Sequence, residues 1–265
     1  MKKRTLLVST AILLVAIMAL ATASFAWFTA GTTATAKALS ITTTAGTSLQ
    51  IMGNRDTNFS DTGTSWFATS GDANSPVSLA PATSFDGKTF AKLGSTAKVP
   101  SESFATATHS DGTALLGSDL DTIASGDIAG YVASTTFTLK NTSTSAVNVR
   151  VASLTIDGAY DIKNSLRVAI TVGANTYVYS LADPATTVGK YNGTSWELDD
   201  MVYTQKGAAG VGANIITGLT SASNQAITVA VWIEGQDANC TTTKAVTLGG
   251  NDLSINIGFA AAPAA

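Results

Sequence analysis

The 265 residues carry a formal charge of −3 with only 12% charged side chains, which argues against nucleic acid and anionic lipid as partners of the bulk of the chain. One cysteine, Cys240, excludes an internal disulfide framework. One histidine, His109, excludes the usual zincin pair of histidines; a serine triad would have only His109 as its base, and no G-x-S-x-G accompanies it.

Lys2, Lys3 and Arg4 form a positive start, after which no charge occurs from Thr5 to Ala36. The apolar heart runs through Leu6-Leu7-Val8 and from Ile12 to Leu20, long enough for a helix that crosses a hydrocarbon layer of about 30 Å. A retained anchor and a cleaved export signal both fit that length. Small residues at Ala21-Thr22-Ala23 and Ser24-Phe25-Ala26 fit the narrow −3 and −1 positions of a signal peptidase site, and they favour cleavage. The organisation expected is a signal peptide over 1–26, a hydrophobic helix if uncleaved, then a single domain over 27–265. Loss of Lys2, Lys3 and Arg4 takes the charge from −3 to −6.

The order Ser24-Phe25-Ala26-Trp27-Phe28-Thr29 resembles the exported TasA/camelysin group. The resemblance implies release by a SipW-type signal peptidase between Ala26 and Trp27, and a role in fibres of a biofilm matrix. Further along, Phe137-Thr138-Leu139-Lys140-Asn141, Leu166-Arg167-Val168-Ala169 and Val231-Trp232-Ile233-Glu234-Gly235-Gln236-Asp237-Ala238-Asn239-Cys240 resemble proteins exported with the same class of signal. The chain departs from TasA in its length, low charge and long irregular stretch. Camelysin-type relatives are classed as metallopeptidases, a chemistry that one histidine does not support in its usual form.

After a cut at Ala26 the new terminus would begin Trp27-Phe28-Thr29 and continue uncharged to Ala36. Trp27, Phe28, Thr33, Thr35, Leu39 and Ile41 mark a strand with two open fates. It can dock into a neighbouring subunit as an added strand, or fold back as the first strand of its own sandwich.

Alternation of apolar residues then predicts strands in order. Leu39 and Ile41 precede a Gly46 break, and Leu49 and Ile51 follow it. A loop-rich insertion covers 54–128, with apolar residues in isolated spots such as Phe85, Phe90 and Phe104. Tyr131 to Leu139 alternates, Asn141 to Ser145 turns, and Val147, Val149 and Val151 alternate again. Leu154 and Ile156 then fall on even positions, so a bulge near Ala152-Ser153 is required to keep both sets inward. Leu166 to Val172, Tyr177 to Leu181, Ile227 to Ile233 and Leu253 to Phe259 complete an all-β, antiparallel, jelly-roll-like β-sandwich.

Chemistry-bearing residues are sparse. Asp199-Asp200 and Glu234 with Asp237 are paired carboxylates, but a glycosidase pair must face across a cleft at roughly 5 to 9.5 Å. Glu234 is expected to bond backbone groups at a strand end, with Asp237 capping the turn after it. Asp56, Asn58 and Asp61 offer oxygen ligands loosely like a calcium loop, without the closing Glu at the twelfth position. Cys240 is expected to be a buried structural thiol. Trp232 points away from Val231 and Ile233, which implies a strand covered on both faces. Trp66, Tyr191 and Trp196 are candidates for sugar contact or for packing.

The reading is a non-enzymatic, cofactor-free, exported structural protein of the cell surface or extracellular matrix. Its partners would be other copies of itself and, during export, the signal peptidase, with membrane contact only through an uncleaved N-terminal segment. The alternative is a surface-displayed carbohydrate-binding or adhesive module.

Overall fold

The structure is a computed structural model that describes residues 34–43, 49–54, 56–65, 77–94, 116–157, 161–180, 187–200, 205–206, 213–237, 239–240 and 253–264. The signal segment and Ala26, Trp27, Phe28, Thr33, Trp66 and His109 lie outside the described residues.

Among the described residues the chain is all-β. In chain order the strands are β1 Ala34–Thr43, β2 Leu49–Gly53, β3 Thr62–Ser65, β4 Val77–Leu79, β5 Ala91–Leu93, β6 Leu120–Thr122, β7 Val132–Asn141 and β8 Val147–Asp157. They continue with β9 Leu166–Val172, β10 Asn175–Ser180, β11 Thr187–Tyr191, β12 Trp196–Asp200, β13 Gln205–Lys206, β14 Asn214–Leu219, β15 Asn224–Ile233 and β16 Leu253–Pro263. One six-stranded sheet has the order β14-β8-β16-β1-β3, with β4 also on β1; a second has the order β13-β10-β9-β15-β7-β2; β11 with β12 and β5 with β6 form two small two-stranded sheets. Pairing is antiparallel except for β1 with β16 and β10 with β13.

Side-chain alternation builds the core between the sheets. Thr135, Phe137 and Leu139 of β7, Ile227, Val229, Val231 and Ile233 of β15, and Leu166, Val168 and Ile170 of β9 are buried on one face of the second sheet. The first sheet answers with Val147, Val149, Val151, Leu154 and Ile156 of β8, Ile255, Ile257 and Phe259 of β16, and Leu39 of β1. Their apolar members form one cluster, and each large side chain withdrawn from water contributes about 1.5 to 3 kcal/mol.

The change of parity in β8 is a bulge. Val151 pairs with Phe259 and Ser153 with Gly258, so Ala152 is the extra residue. That one insertion lets odd-numbered valines and even-numbered Leu154 and Ile156 share the core. The turn from β7 to β8 is fixed by Asn141, whose Nδ2 donates to the carbonyls of Ser145 and Leu219, each at 2.8 Å, while its Oδ1 accepts from the Ser143 N–H at 2.9 Å. A Gly173-Ala174 loop joins β9 to β10, with Gly173 at φ +58°, a conformation open to glycine.

The loop-rich stretch spreads its apolar spots over the outer face of the second sheet. Ala82, Phe90 and Ile123 cover Val132, Ala169, Val178 and Trp232. Gly87, at φ +67°, lies so close that an added Cβ would stand 2.6 Å from the Ala169 Cβ. A third small cluster joins Ala91 of β5, Leu120 of β6 and Trp196 of β12.

Candidate functional site

The residues proposed for assembly lie on β1 as far as they are described. Thr35, Leu39 and Ile41 share that strand, and Leu39 is fully buried in the core. One edge of β1 pairs in parallel with β16, from Ala36 opposite Leu253 to Thr43 opposite Phe259. The other edge pairs with β4 through Ala34, Thr35 and Ala36, and with β3 through Leu39 to Thr42. From Ala34 onward the segment is therefore the first strand of its own sandwich, with both edges satisfied inside the chain.

The paired carboxylates at the end of β15 form a buried polar junction. Glu234 follows the strand, and its backbone N–H donates to the Ser165 carbonyl at 2.8 Å. A strap formed by Ala82, Thr83 and Ser84 lies alongside. The Ala82 N–H donates to the Ile233 carbonyl at 2.9 Å, and the Gly235 N–H donates to the Ala82 carbonyl at 2.8 Å. The Glu234 carboxylate is wholly enclosed: Oε2 accepts from Trp232 Nε1 at 3.1 Å and the Ser84 N–H at 3.4 Å, and Oε1 accepts from the Gln236 N–H at 3.2 Å.

Arg167 enters the junction from β9, where it pairs with Trp232 across the ladder. Its Nη2 forms an ion pair with Asp237 Oδ2, and Nη1 donates to the carbonyls of Asn164 at 2.9 Å and Leu166 at 3.0 Å. Asp237 Oδ1 accepts from the Asn239 N–H at 2.7 Å and from Asn239 Nδ2 at 3.0 Å, which is the turn cap that the sequence suggests. Burial pushes the Glu234 carboxyl above the usual range, with Arg167 pulling against it. Burial also pushes the Cys240 thiol up, aided by the negative charges of Glu234 and Asp237 and opposed by Arg167. A thiol so held is the inert form. The Glu234 carboxyl faces the strap and holds the Ser84 N–H, while the Asp237 carboxyl faces Arg167 of β9.

Asp199 is used differently. It forms an ion pair with Lys190 across the β11–β12 pair, and the Lys190 ammonium sits 4.8 Å from the centre of the Phe85 ring. Trp196 is nearly buried, with Nε1 donating to Thr122 Oγ1 at 2.8 Å. Tyr191, 41% exposed, lies 5.4 Å from the Trp196 ring.

In the loop read as loosely calcium-like, Asp56 Oδ2 accepts the Gly53 N–H at 2.7 Å and Asn58 Nδ2 donates to Thr57 Oγ1 at 3.2 Å. The carbonyl of Asp61 accepts from both the N–H and the hydroxyl of Thr43, at 2.9 and 3.1 Å. Among the described residues no three His, Cys, Asp or Glu side chains gather as a metal site.

No family model matches the chain, and neither a curated protein nor a solved structure shows detectable similarity to it. Arg167 is the residue that sequence reasoning did not connect to Glu234 and Asp237. Its signal was a lone cation inside the apolar run Leu166-Arg167-Val168-Ala169-Ile170.

Proposed function

We propose that this chain is an exported structural protein of the cell surface or extracellular matrix, with a jelly-roll-like sandwich as its subunit and self-association into fibres or a layer as its activity. Cleavage between Ala26 and Trp27 by a SipW-type peptidase would place the mature terminus close before β1. The observation that carries the reading is that the strand nearest the cut is an interior strand, lying between β16 and the β3 and β4 strands. An interior strand with a free end is exchangeable. If one subunit's β1 leaves its own sheet, the same pairings with β16, β3 and β4 become available to the β1 of a neighbour, and Leu39 fills the same core position there. Trp27, Phe28 and Thr33 would add contacts to the donated strand.

A lock on β1 tests this. Ser40 and Asn256 are directly opposite in the parallel pair, at the neighbour spacing of a sheet, which suits a disulfide. In a Cys240→Ala background, Ser40→Cys with Asn256→Cys is expected to block filaments in negative stain when oxidised and to restore them on reduction. Filaments that persist in the oxidised protein would overturn strand exchange; no filaments from the wild-type mature chain would overturn self-association itself.

A second reading, a carbohydrate-binding or adhesive module, draws on the exposed Tyr191 ring beside Trp196. Saturable glycan binding lost in Tyr191→Ala would favour it.

A further inference from the structure

The turn between β11 and β12 carries Asn192-Gly193, the one Asn-Gly pair in the chain. We infer that Asn192 is a site of spontaneous deamidation, with Gly193 supplying the nucleophile.

Four features of the fold support this reaction. Asn192 to Ser195 are all exposed at the hairpin tip, so water has access from every side. Gly193 stands at φ +96° with no atom within 4 Å of where a Cβ would be, so its nitrogen is unshielded. Asn192 Oδ1 accepts the N–H groups of Thr194 at 3.0 Å and Ser195 at 2.9 Å, which draws electron density from Cγ and makes it a better electrophile. The leaving nitrogen, Nδ2, is held by one contact, to Ser195 Oγ at 3.3 Å.

Other asparagines lack this combination. Asn141 is fully buried and donates both Nδ2 bonds to carbonyls. Asn239 is tied to Asp237 and followed by buried Cys240. Asn58 and Asn175 are exposed, but Phe59 and Thr176 follow them, and their side chains crowd the attacking nitrogen.

In the reaction the Gly193 backbone nitrogen gives up its proton to solvent and attacks Asn192 Cγ. The Cγ–Nδ2 bond breaks, and Nδ2 takes up a proton and leaves as ammonia, forming a succinimide. Water then adds to one of the two ring carbonyls and reopens it, giving aspartate or isoaspartate. The balance is one amide and one water to one carboxylic acid and one ammonia, with no oxidant or reductant. Aspartate keeps the acceptor for Thr194 and Ser195 and adds a negative charge. Isoaspartate routes the main chain through an extra methylene, next to the Tyr191–Trp196 pair of the ladder.

The test is incubation of the purified chain at mildly alkaline pH, followed by peptide mapping and an isoaspartyl methyltransferase assay. Asn192 is expected to be the first amide lost, with both aspartate and isoaspartate formed. Gly193→Ser is expected to slow the loss several-fold, with circular dichroism showing that the variant is folded. Survival of Asn192 while Asn58 or Asn175 converts would overturn the assignment. Formation of aspartate alone, at a rate indifferent to Gly193→Ser, would overturn the intramolecular route.

Discussion

Glu234 is a fully buried acidic side chain with five hydrogen-bonding or charged neighbours, Trp232, Ser84, Gln236, Thr83 and Arg167. One guanidinium, Arg167, serves two carboxyls, and its direct ion pair is with Asp237. Glu234 is left with the N–H groups of Trp232, Ser84 and Gln236, the side chain of Thr83 and the more distant attraction of Arg167, and desolvation prevails, so its carboxyl titrates higher than in water. The folded value lies above the unfolded one. The contribution of this group to stability is therefore fully present below the unfolded value and is lost as pH rises through the folded value. Each unit by which the folded value is raised corresponds to about 1.4 kcal/mol. Denaturation midpoints measured across a pH series are expected to fall in this window as pH rises, and Glu234→Gln is expected to flatten that slope. Parallel curves for the two proteins would show that Glu234 is not the group responsible. The residues that share this enclosure are Arg167, Asp237 and Cys240 from the sandwich and Thr83 and Ser84 from the strap. Glu234 and Asp237 were legible as strand-end and turn residues because those roles are local. Their link to Arg167 was not, because it spans 70 residues between Arg167 and Asp237 and no local pattern encodes it.

At the level of the element, the bulge in β8 shows what period-2 alternation reveals. A switch from Val147, Val149 and Val151 to Leu154 and Ile156 demands one extra residue whatever the partner strand is. The identity of that partner is hidden in the sequence, as is the reason its residue is Gly258. An added Cβ at Gly258 would stand 2.3 Å from Ser153 Oγ. Gly258→Ala is expected to cost about 1 to 3 kcal/mol by overpacking. Ser153→Ala removes the oxygen and leaves the Ser153 Cβ, 3.6 Å away, as the next side-chain neighbour. Gly258→Ala combined with Ser153→Ala is then expected to recover most of the loss, a coupling that a double-mutant cycle of urea midpoints reads directly. Additive effects would place the strain elsewhere. Strand direction is equally hidden: alternation in Leu39 and Ile41 and in Ile255 and Ile257 tells which side chains point inward, and nothing in it says that β1 and β16 run parallel.

The molecule as a whole has its two six-stranded sheets face to face and a loop-rich strap on the far side of one of them. That arrangement explains why Trp232 and Ile233 are both fully buried although they point to opposite faces of β15. Outward positions along the β16–β8 ladder include Asn256, Gly258, Ala260, Ser153 and Thr155 together with the charged Arg150, which lies opposite Ala260. The parallel pairing of β1 with β16 also has a mechanical meaning. Because β1 and β16, the first and last strands among the described residues, run in the same direction side by side, tension applied before β1 and after β16 pulls β1 toward its start and β16 toward its finish. The ladder from Ala36–Leu253 to Thr43–Phe259 is then loaded in shear, with its hydrogen bonds resisting together instead of opening one at a time like a zipper. Single-molecule stretching between points before β1 and after β16 is expected to show one abrupt rupture at high force. Pulling instead between residues 147 and 263, paired at one end of the antiparallel β8–β16 ladder, peels that ladder from its end and is expected to yield at far lower force.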